Sequence, residues 1–532
     1  MKKIFKTGKP YIWLSGGTLT ISLLMIFGLV TLIMIKGLGI FWPHNVTRFM
    51  LNDNSAVIGE IAKVEPIPNL KDAYRTKLKV GNRDIYGMDF RWFDNSNILN
   101  QDFPPTALTI ERREWGNMYG FLKGMKHDNG IETLSLTDLK PLLKESKALY
   151  KSIRRIEKKE IAKINHKMEK YRLALKRLER ESQSDSTLRK IGTINSKVEE
   201  LEKLYTEKVD NLTNLYTSAK EKKVIIQLAD GRDEILPVFQ IIRIYDPNQM
   251  GVYAKSCFYL LKFWEFISAE PREANTEGGV FPAIFGTVIM VLIMSLVVTP
   301  LGVLTAVFLK EYTSDNIFSR VVRISVNNLA GVPSIVFGVF GLGFFIYFIG
   351  GGIDKMFFSE SLPTPTFGTG GILWASLTLA LMTVPVVVVA TEEGISSVPR
   401  SLKEASYGLG ATKFETLWRV TLPQATPGIL TGMILAMARA AGEVAPLMIT
   451  GVVKLAPSLP LDSYSPFIHL ERKFMHLGFH IYDVGFQSPN VEAALPMVYT
   501  TTLILLLTVL SLNLVAIIVR NKLRKKYVTS AL

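Results

Sequence analysis

The chain has 532 residues, with 62 Lys and Arg against 47 Asp and Glu for a formal charge of +15, yet its mean hydropathy is positive at +0.22. A basic soluble protein with 20% charged residues falls below zero on that scale, so the apolar residues must be segregated into runs. A single cysteine, Cys257, excludes a disulfide framework and a thiolate metal cluster, since each needs at least two.

Runs longer than ~18 residues with few or no charges can cross a bilayer. The first, Tyr11–Ile35, lies between Lys9 and Lys36 and is too long for a signal-peptide core, so it is expected to be a retained anchor over 1–42. The next segment, 43–276, reads as a separate domain. From Ser55 to Glu114 short alternating runs with turn signals predict hairpins, for example Thr76–Val80 before Gly81-Asn82 with Asp84–Met88 after it. Apolar positions then change to a helical period, with Leu142, Leu149, Ile153, Ile156, Ile164, Met168, Tyr171, Leu175 and Leu178 in one series. After the polar stretch 182–187 a second series follows, Ile191, Ile194, Val198, Leu201, Tyr205, Leu212 and Leu215. Two narrow stripes joined by a polar turn predict an antiparallel coiled-coil hairpin over about 140–222, inserted into a domain of mixed α and β structure. Strand patterning resumes at Val224–Leu228, with Ala229-Asp-Gly-Arg232 as a hairpin turn. The basic helical faces come without zinc spacing, RNA motif or aromatic platform, so no nucleic-acid partner is expected.

Five further runs follow: Phe281–Leu309, Ile324–Ile349, Gly371–Ala390, Pro427–Val453 and Leu495–Val519. With both termini placed in the cytoplasm, the inside segments hold sixteen Lys and Arg and the short outside loops hold four. That bias sets the expected orientation, puts 43–276 outside and leaves 521–532 as a basic cytoplasmic tail. The fold class expected is therefore an all-α polytopic bundle of about six transmembrane helices over 1–42 and 277–520, carrying an extracytoplasmic α+β domain.

No G-x-x-x-x-G-K-[ST] motif is present, so ATP hydrolysis by this chain is not expected. His476 and His480 are four apart but lack the Glu of a hydrolytic zinc motif, and a packed role is expected for them instead. The inside loop 391–425 is more informative. Ser401-Leu-Lys-Glu404 and Thr412-Lys-Phe-Glu415 both read as capping boxes, with a turn at Gly408-Leu-Gly410 between them and Leu422-Pro423 as the stop of the second helix. In the fifth span, Arg439 falls ~18 Å along a helix from Pro427, near the bilayer midplane, with Glu443 one turn on. A charge there must face the bundle interior or a watery path. The i,i+4 spacing predicts a shared helix face, beside the small residues Ala436, Ala440, Ala441 and Gly442. A structural ion pair locking two spans and a transient oxyanion site, with Arg439 as bidentate donor, are both open readings.

Glu404-Ala-Ser-Tyr-Gly-Leu-Gly410, nine residues, then Val420-Thr-Leu-Pro423 resembles the coupling loop of ABC importer permeases. Ser406 and Val420 depart mildly from the usual pattern. Glu277–Thr287, Leu329–Leu342 and Arg439–Leu447 are similar to the phosphate-uptake branch, the last of them nearer its A-type permease, PstA, than the C-type, PstC. The resemblance covers the first span and 277 onward, but not 43–276. Val389 stands where the family often carries a basic residue, so no anion role is transferred there.

The resemblance implies a phosphate permease of the bacterial inner membrane. Glu404, Ala405, Gly410, Leu422 and Pro423 would engage an ATPase dimer of PstB type, which holds the ATP and magnesium, while this chain binds no cofactor. A PstC-type permease, a PstS-type phosphate-binding protein and membrane lipid are the other implied partners. Permeation of sulfate, molybdate or tungstate is the alternative, and a membrane-anchored signalling or scaffold protein is the reading from another class.

Overall fold

A computed structural model describes residues 9–529, apart from 71, 128–129, 181–184, 273–274, 315 and 489–490. The described residues form two compact units, Phe41–Trp264 and the remainder.

The Phe41–Trp264 unit is built on two antiparallel sheets. The first takes the order β4-β3-β2-β1-β5 from β1 (Val46–Leu51), β2 (Ala56–Pro66), β3 (Tyr74–Lys79), β4 (Phe90–Asp94) and β5 (Ile98–Asp102). The second takes the order β10-β9-β7-β6-β11 from β6 (Leu108–Arg112), β7 (Asn117–His127), β9 (Lys223–Gln227), β10 (Asp233–Pro237) and β11 (Ile241–Tyr245), with β8 (Gly130–Glu132) paired to β7. Period-two alternation puts Phe49, Leu78 and Phe93 in one buried cluster and Leu108, Ile110, Val224 and Ile226 in another.

The expected hairpin after β3 forms, but Asp84–Met88 is not its return strand. Arg83–Tyr86 makes a single helical turn, and pairing begins with Lys79 opposite Phe90. Gly81 and Asn82 both take positive φ there, and the Asn82 amide exchanges two hydrogen bonds with the backbone of Tyr119. Asp84, instead of pairing in a strand, receives both terminal nitrogens of the buried Arg112 guanidinium, at 2.7 and 3.0 Å. The turn at 229–232 is as expected, closed by the Leu228 amide on the Arg232 carbonyl with Gly231 at φ +86°.

Between β8 and β9 run two long antiparallel helical arms. The first begins at Leu136, earlier than the apolar series suggests, because Ser135 and Asp138 close a capping box ahead of Pro141. Helix Leu136–Arg155 passes through a wide π turn, Ile156–Ile161, into Ala162–Arg180, and the return arm is Asp185–Glu221. The π turn inserts residues between Ile156 and Ile164 and brings the stripe back to the same side. Tyr216 donates to Glu157 at 2.7 Å, and Lys208 meets Glu160 at 3.0 Å, which fixes the antiparallel register. The polar turn expected at 182–187 lies partly outside the described residues.

The other unit contains six helices long and apolar enough to cross a membrane: Tyr11–Phe41, Phe281–Tyr312, Ser334–Phe357, Ile372–Ser396, Lys413–Gly442 and Val491–Lys525. The fourth is central. Ala375, Leu379, Met382 and Val387 pack with Met290, Met294 and Val298 of the second span and Ala436, Met437 and Ala440 of the fifth. The first span joins the sixth through Thr500, whose hydroxyl donates to the Gly37 carbonyl at 2.7 Å.

Two expected spans change their limits. Ile324–Leu329 belongs instead to an amphipathic helix, Ile317–Leu329, capped by Asn316 and Ser319; the chain breaks through Gly331 and Pro333, and the third span starts at Ser334. The fifth span ends at Gly442, and Ala445–Thr450 is a separate short helix. In both places an apolar run conceals a backbone break that hydropathy cannot register.

Candidate functional site

The loop following the fourth span folds as two helical pieces. Helix Arg400–Gly408 has Pro399 at its N-cap and no side-chain cap, so the expected box from Ser401 to Glu404 does not form. Pro399 presets the entry dihedral instead, which leaves Glu404 and Ala405 exposed on the helix surface. Gly410 turns the chain at φ +83°, a conformation natural to glycine. The second box does form: Thr412 accepts the Glu415 amide and the Glu415 carboxylate accepts the Thr412 amide.

Leu422-Pro423 does not stop the second helix. Lys413–Thr416 runs through a π turn, Leu417–Thr421, straight into Leu422–Gly442, with Pro423 in the first turn of that last stretch. Proline disrupts a helix when its missing N–H and its ring conflict with the preceding turn; the local π geometry removes that conflict. Loop and fifth span are thereby one continuous rod of 30 residues, ~45 Å long.

The base of the loop is tied to the bundle by charge and polarity. Lys403 pairs with Glu311 at the end of the second span at 2.5 Å, Arg323 approaches Glu392 at 3.6 Å, and Ser406 and Thr416 join their hydroxyls at 2.8 Å. Its tip is apolar and uncovered: Leu409 is 90% exposed, and Phe414 and Trp418, stacked on each other, are each 64% exposed. These three side chains were not part of the sequence motif, although their apolar character in a basic loop was a readable signal.

Arg439 and Glu443 do come together, at 3.7 Å between Nε and Oε1, but not as expected. Arg439 sits in the last turn of its helix and Glu443 is the C-cap, in extended conformation, so the two do not share a helical face. Counting from Lys413, Arg439 lies ~39 Å along the rod, at its far end and not at its middle. With 36% and 24% of their side chains exposed, the pair is only partly desolvated and its separation exceeds a hydrogen bond. Ala436, Ala440 and Ala441 are buried in the helix packing, whereas Gly442 is exposed.

A second seam of small residues emerges only in three dimensions. Gly428 and Gly432 form a G-x-x-x-G pattern on the fifth span, facing Ala390 and Gly394 of the fourth. A methyl group at Gly428 would lie 2.7 Å from the Gly394 Cα.

His476 and His480 are packed, as expected: both are buried in the connection between the fifth and sixth spans, where His476 Nδ1 accepts the Gly478 amide. Among the described residues no cluster of three or more His, Cys, Asp or Glu could hold a metal. Burial disfavours both imidazolium forms, pushing His476 down to about 3 and His480 to about 4. The unfolded chain titrates near 6.5, so this stability is complete above that pH and is lost as pH falls toward the folded values. Each histidine should contribute a loss of about 1.4 kcal/mol per pH unit in that window. Thermal unfolding of the purified protein should therefore shift to lower temperature as pH is reduced below 6.5, and a His480→Leu variant should show a shallower slope.

Residues 298–528 match the family model described as binding-protein-dependent transport system inner membrane component. The chain is 32% identical over 260 residues to the probable ABC transporter permease protein YqgI of Bacillus subtilis, covering 48% of this chain and 81% of that one. It is 38% identical to the phosphate transport system permease protein PstA 1 of Mycobacterium tuberculosis, covering 35% of this chain and 55% of the relative. To the phosphate transport system permease protein PstC of Mesorhizobium japonicum it is 32% identical, covering 38% and 64%. The chain thus spans little more than half of the named phosphate permeases. It belongs to the binding-protein-dependent transport system inner-membrane components, multi-pass permease subunits of ABC transporters that are driven by an ATPase on a partner.

Proposed function

We propose that this chain is the permease subunit of an importer for inorganic phosphate. The observation that carries this reading is its 38% and 32% identity to permeases named for phosphate transport, beside a family match over 298–528 that holds both the 391–425 loop and Arg439. Arg439 is the donor for a tetrahedral oxyanion passing the end of the fifth helix, and Glu443 competes with the anion so that it leaves again. A proton on the phosphate would let it donate a hydrogen bond to the ionised Glu443, an advantage fully ionised sulfate lacks. The loop residues Glu404, Ala405 and Gly410, with Leu422 and Pro423 at the root of the rod, receive an ATPase dimer, whose closure moves the rod and the Arg439 end with it.

In this reading both termini and the 391–425 loop are cytoplasmic, residues 43–276 are extracytoplasmic and the membrane is the bacterial inner membrane. A PstC-type permease completes the path, PstB-type ATPases drive it and a PstS-type binding protein delivers the anion. The helical arms, acting as a coiled coil, are a protein-docking extension of the outer domain.

Reconstituted with its co-purifying subunits, the complex should accumulate labelled phosphate when ATP is supplied to the loop side, with sulfate, molybdate and tungstate competing poorly. Arg439→Gln should reduce uptake to the ATP-independent background while the complex stays assembled. Normal uptake by that variant overturns the role of Arg439; efficient competition by another oxyanion reassigns the substrate.

A further inference from the structure

The connection from the second span to the third carries the helix Ile317–Leu329, which lies wholly within the membrane-spanning unit. Its side chains divide among three faces. Val322 and Val326, four residues apart, pack on Ala306 and Leu309 of the second span and on Val388 of the fourth. Arg320, Arg323 and Asn327, at offsets of three and seven, form an exposed polar stripe. Ile317, Val321 and Ile324, at offsets of four and seven and flanked by Phe318, form an apolar stripe on the remaining side. Nothing in the chain covers it: Ile317 is 80% exposed and the other three are more than half exposed.

The packing face fixes the level of this helix along the bundle. Ala306 and Leu309 stand in the last turn of the uncharged run Phe281–Leu309, which Lys310 ends. Val388 stands in the last turn of the uncharged run Gly371–Ala390, and Glu392 is the first charge after it. The second and fourth spans run in the same sense, so both ends face one side of the membrane. Charge begins where a span leaves the hydrocarbon, which puts both contacts at its edge. On the polar face Arg323 approaches Glu392 at 3.6 Å, beyond that edge. The apolar stripe is therefore held where hydrocarbon gives way to headgroups, the depth at which a helix with one apolar face immerses it.

We infer that Ile317–Leu329 lies in the plane of the membrane at the ends of the second and fourth spans, with Ile317, Phe318, Val321 and Ile324 immersed in the headgroup–acyl boundary and Arg320 and Asn327 turned toward headgroups and water. The lipid leaflet is its partner. The inference depends on the six-span bundle, not on the transported substrate or on which side of the membrane the 391–425 loop faces. Glu392 stands at the base of that loop, so its approach to Arg323 braces the loop against the leaflet.

The test uses single nitroxides at Ile317→Cys, Val321→Cys, Ile324→Cys, Arg320→Cys and Asn327→Cys, each in a full-length Cys257→Ser chain reconstituted with its co-purifying subunits into liposomes. Collision with oxygen, which concentrates in lipid, is compared with collision with a water-soluble nickel chelate. Leu24→Cys, at an exposed position of the first span, gives the lipid limit. The oxygen-to-nickel ratio should rise toward the Leu24 value at positions 317, 321 and 324 and fall at 320 and 327, following the turn of the helix. A ratio as low at the three apolar positions as at 320 and 327 would put the stripe in water. Low collision with both reagents at the apolar positions would put it under protein, and either result overturns the inference.

Discussion

A chain carrying Leu409→Asp and Phe414→Asp together should purify folded but without its ATPase, and should lose ATP-driven uptake. Both side chains stand on the tip of the 391–425 loop and contribute almost nothing to the interior, with Leu409 90% and Phe414 64% exposed. Burying an apolar side chain of this size contributes roughly 1.5–3 kcal/mol, so losing two anchors and desolvating two carboxylates should weaken docking by at least about 100-fold. The loop itself should survive, because its local order comes from the Thr412–Glu415 box and the Ser406–Thr416 hydrogen bond, which the substitutions leave intact. Co-purification of tagged ATPase and circular dichroism of the variant measure the two outcomes separately. Retention of the ATPase by the double variant would remove the loop as its docking site.

The second large effect is expected from the glycine seam. Gly428 and Gly394 let the fourth and fifth helices approach backbone to backbone, and a Cβ at either position meets the other helix at 2.7–3.0 Å, where no side chain can rotate away. Overpacking of this kind costs ~1–3 kcal/mol for a single methyl group. Gly428→Ala should therefore lower the thermal midpoint measurably, and Gly428→Leu should separate the helices and abolish recovery of folded protein. Gly352→Ala is the control, since nothing lies within 4 Å of a Cβ built there. Equal recovery of the Gly428→Leu and Gly352→Ala variants would refute the seam.

The bundle was readable from sequence because bilayer thickness imposes a minimum apolar run, and all six helical spans fall where such runs occur. What hydropathy could not convey is backbone continuity. Ala330–Pro333 and Glu443–Val444 are as apolar or as short as their surroundings, yet they divide helices, while Leu422-Pro423, which looks like a stop, lies within a continuous rod. This is why Arg439 was expected at mid-membrane and lies at a helix end. The capping boxes show the same limit: Thr412 and Glu415 close theirs, whereas Ser401 and Glu404 have the same spacing but sit after Pro399, which takes the N-cap first. In the 41–264 unit, alternation found the strands and period found the arms, but the Asp84–Arg112 pair required the third dimension to explain why β4 starts at Phe90.

The central claim is that the 391–425 loop is the handle by which a motor on the cytoplasmic side moves the fifth helix. Its most direct test is a Ser401→Cys label in the Cys257→Ser chain, challenged with a membrane-impermeant maleimide in right-side-out and inverted vesicles. The account predicts modification in inverted vesicles alone. Modification in right-side-out vesicles would place the loop away from ATP and contradict it.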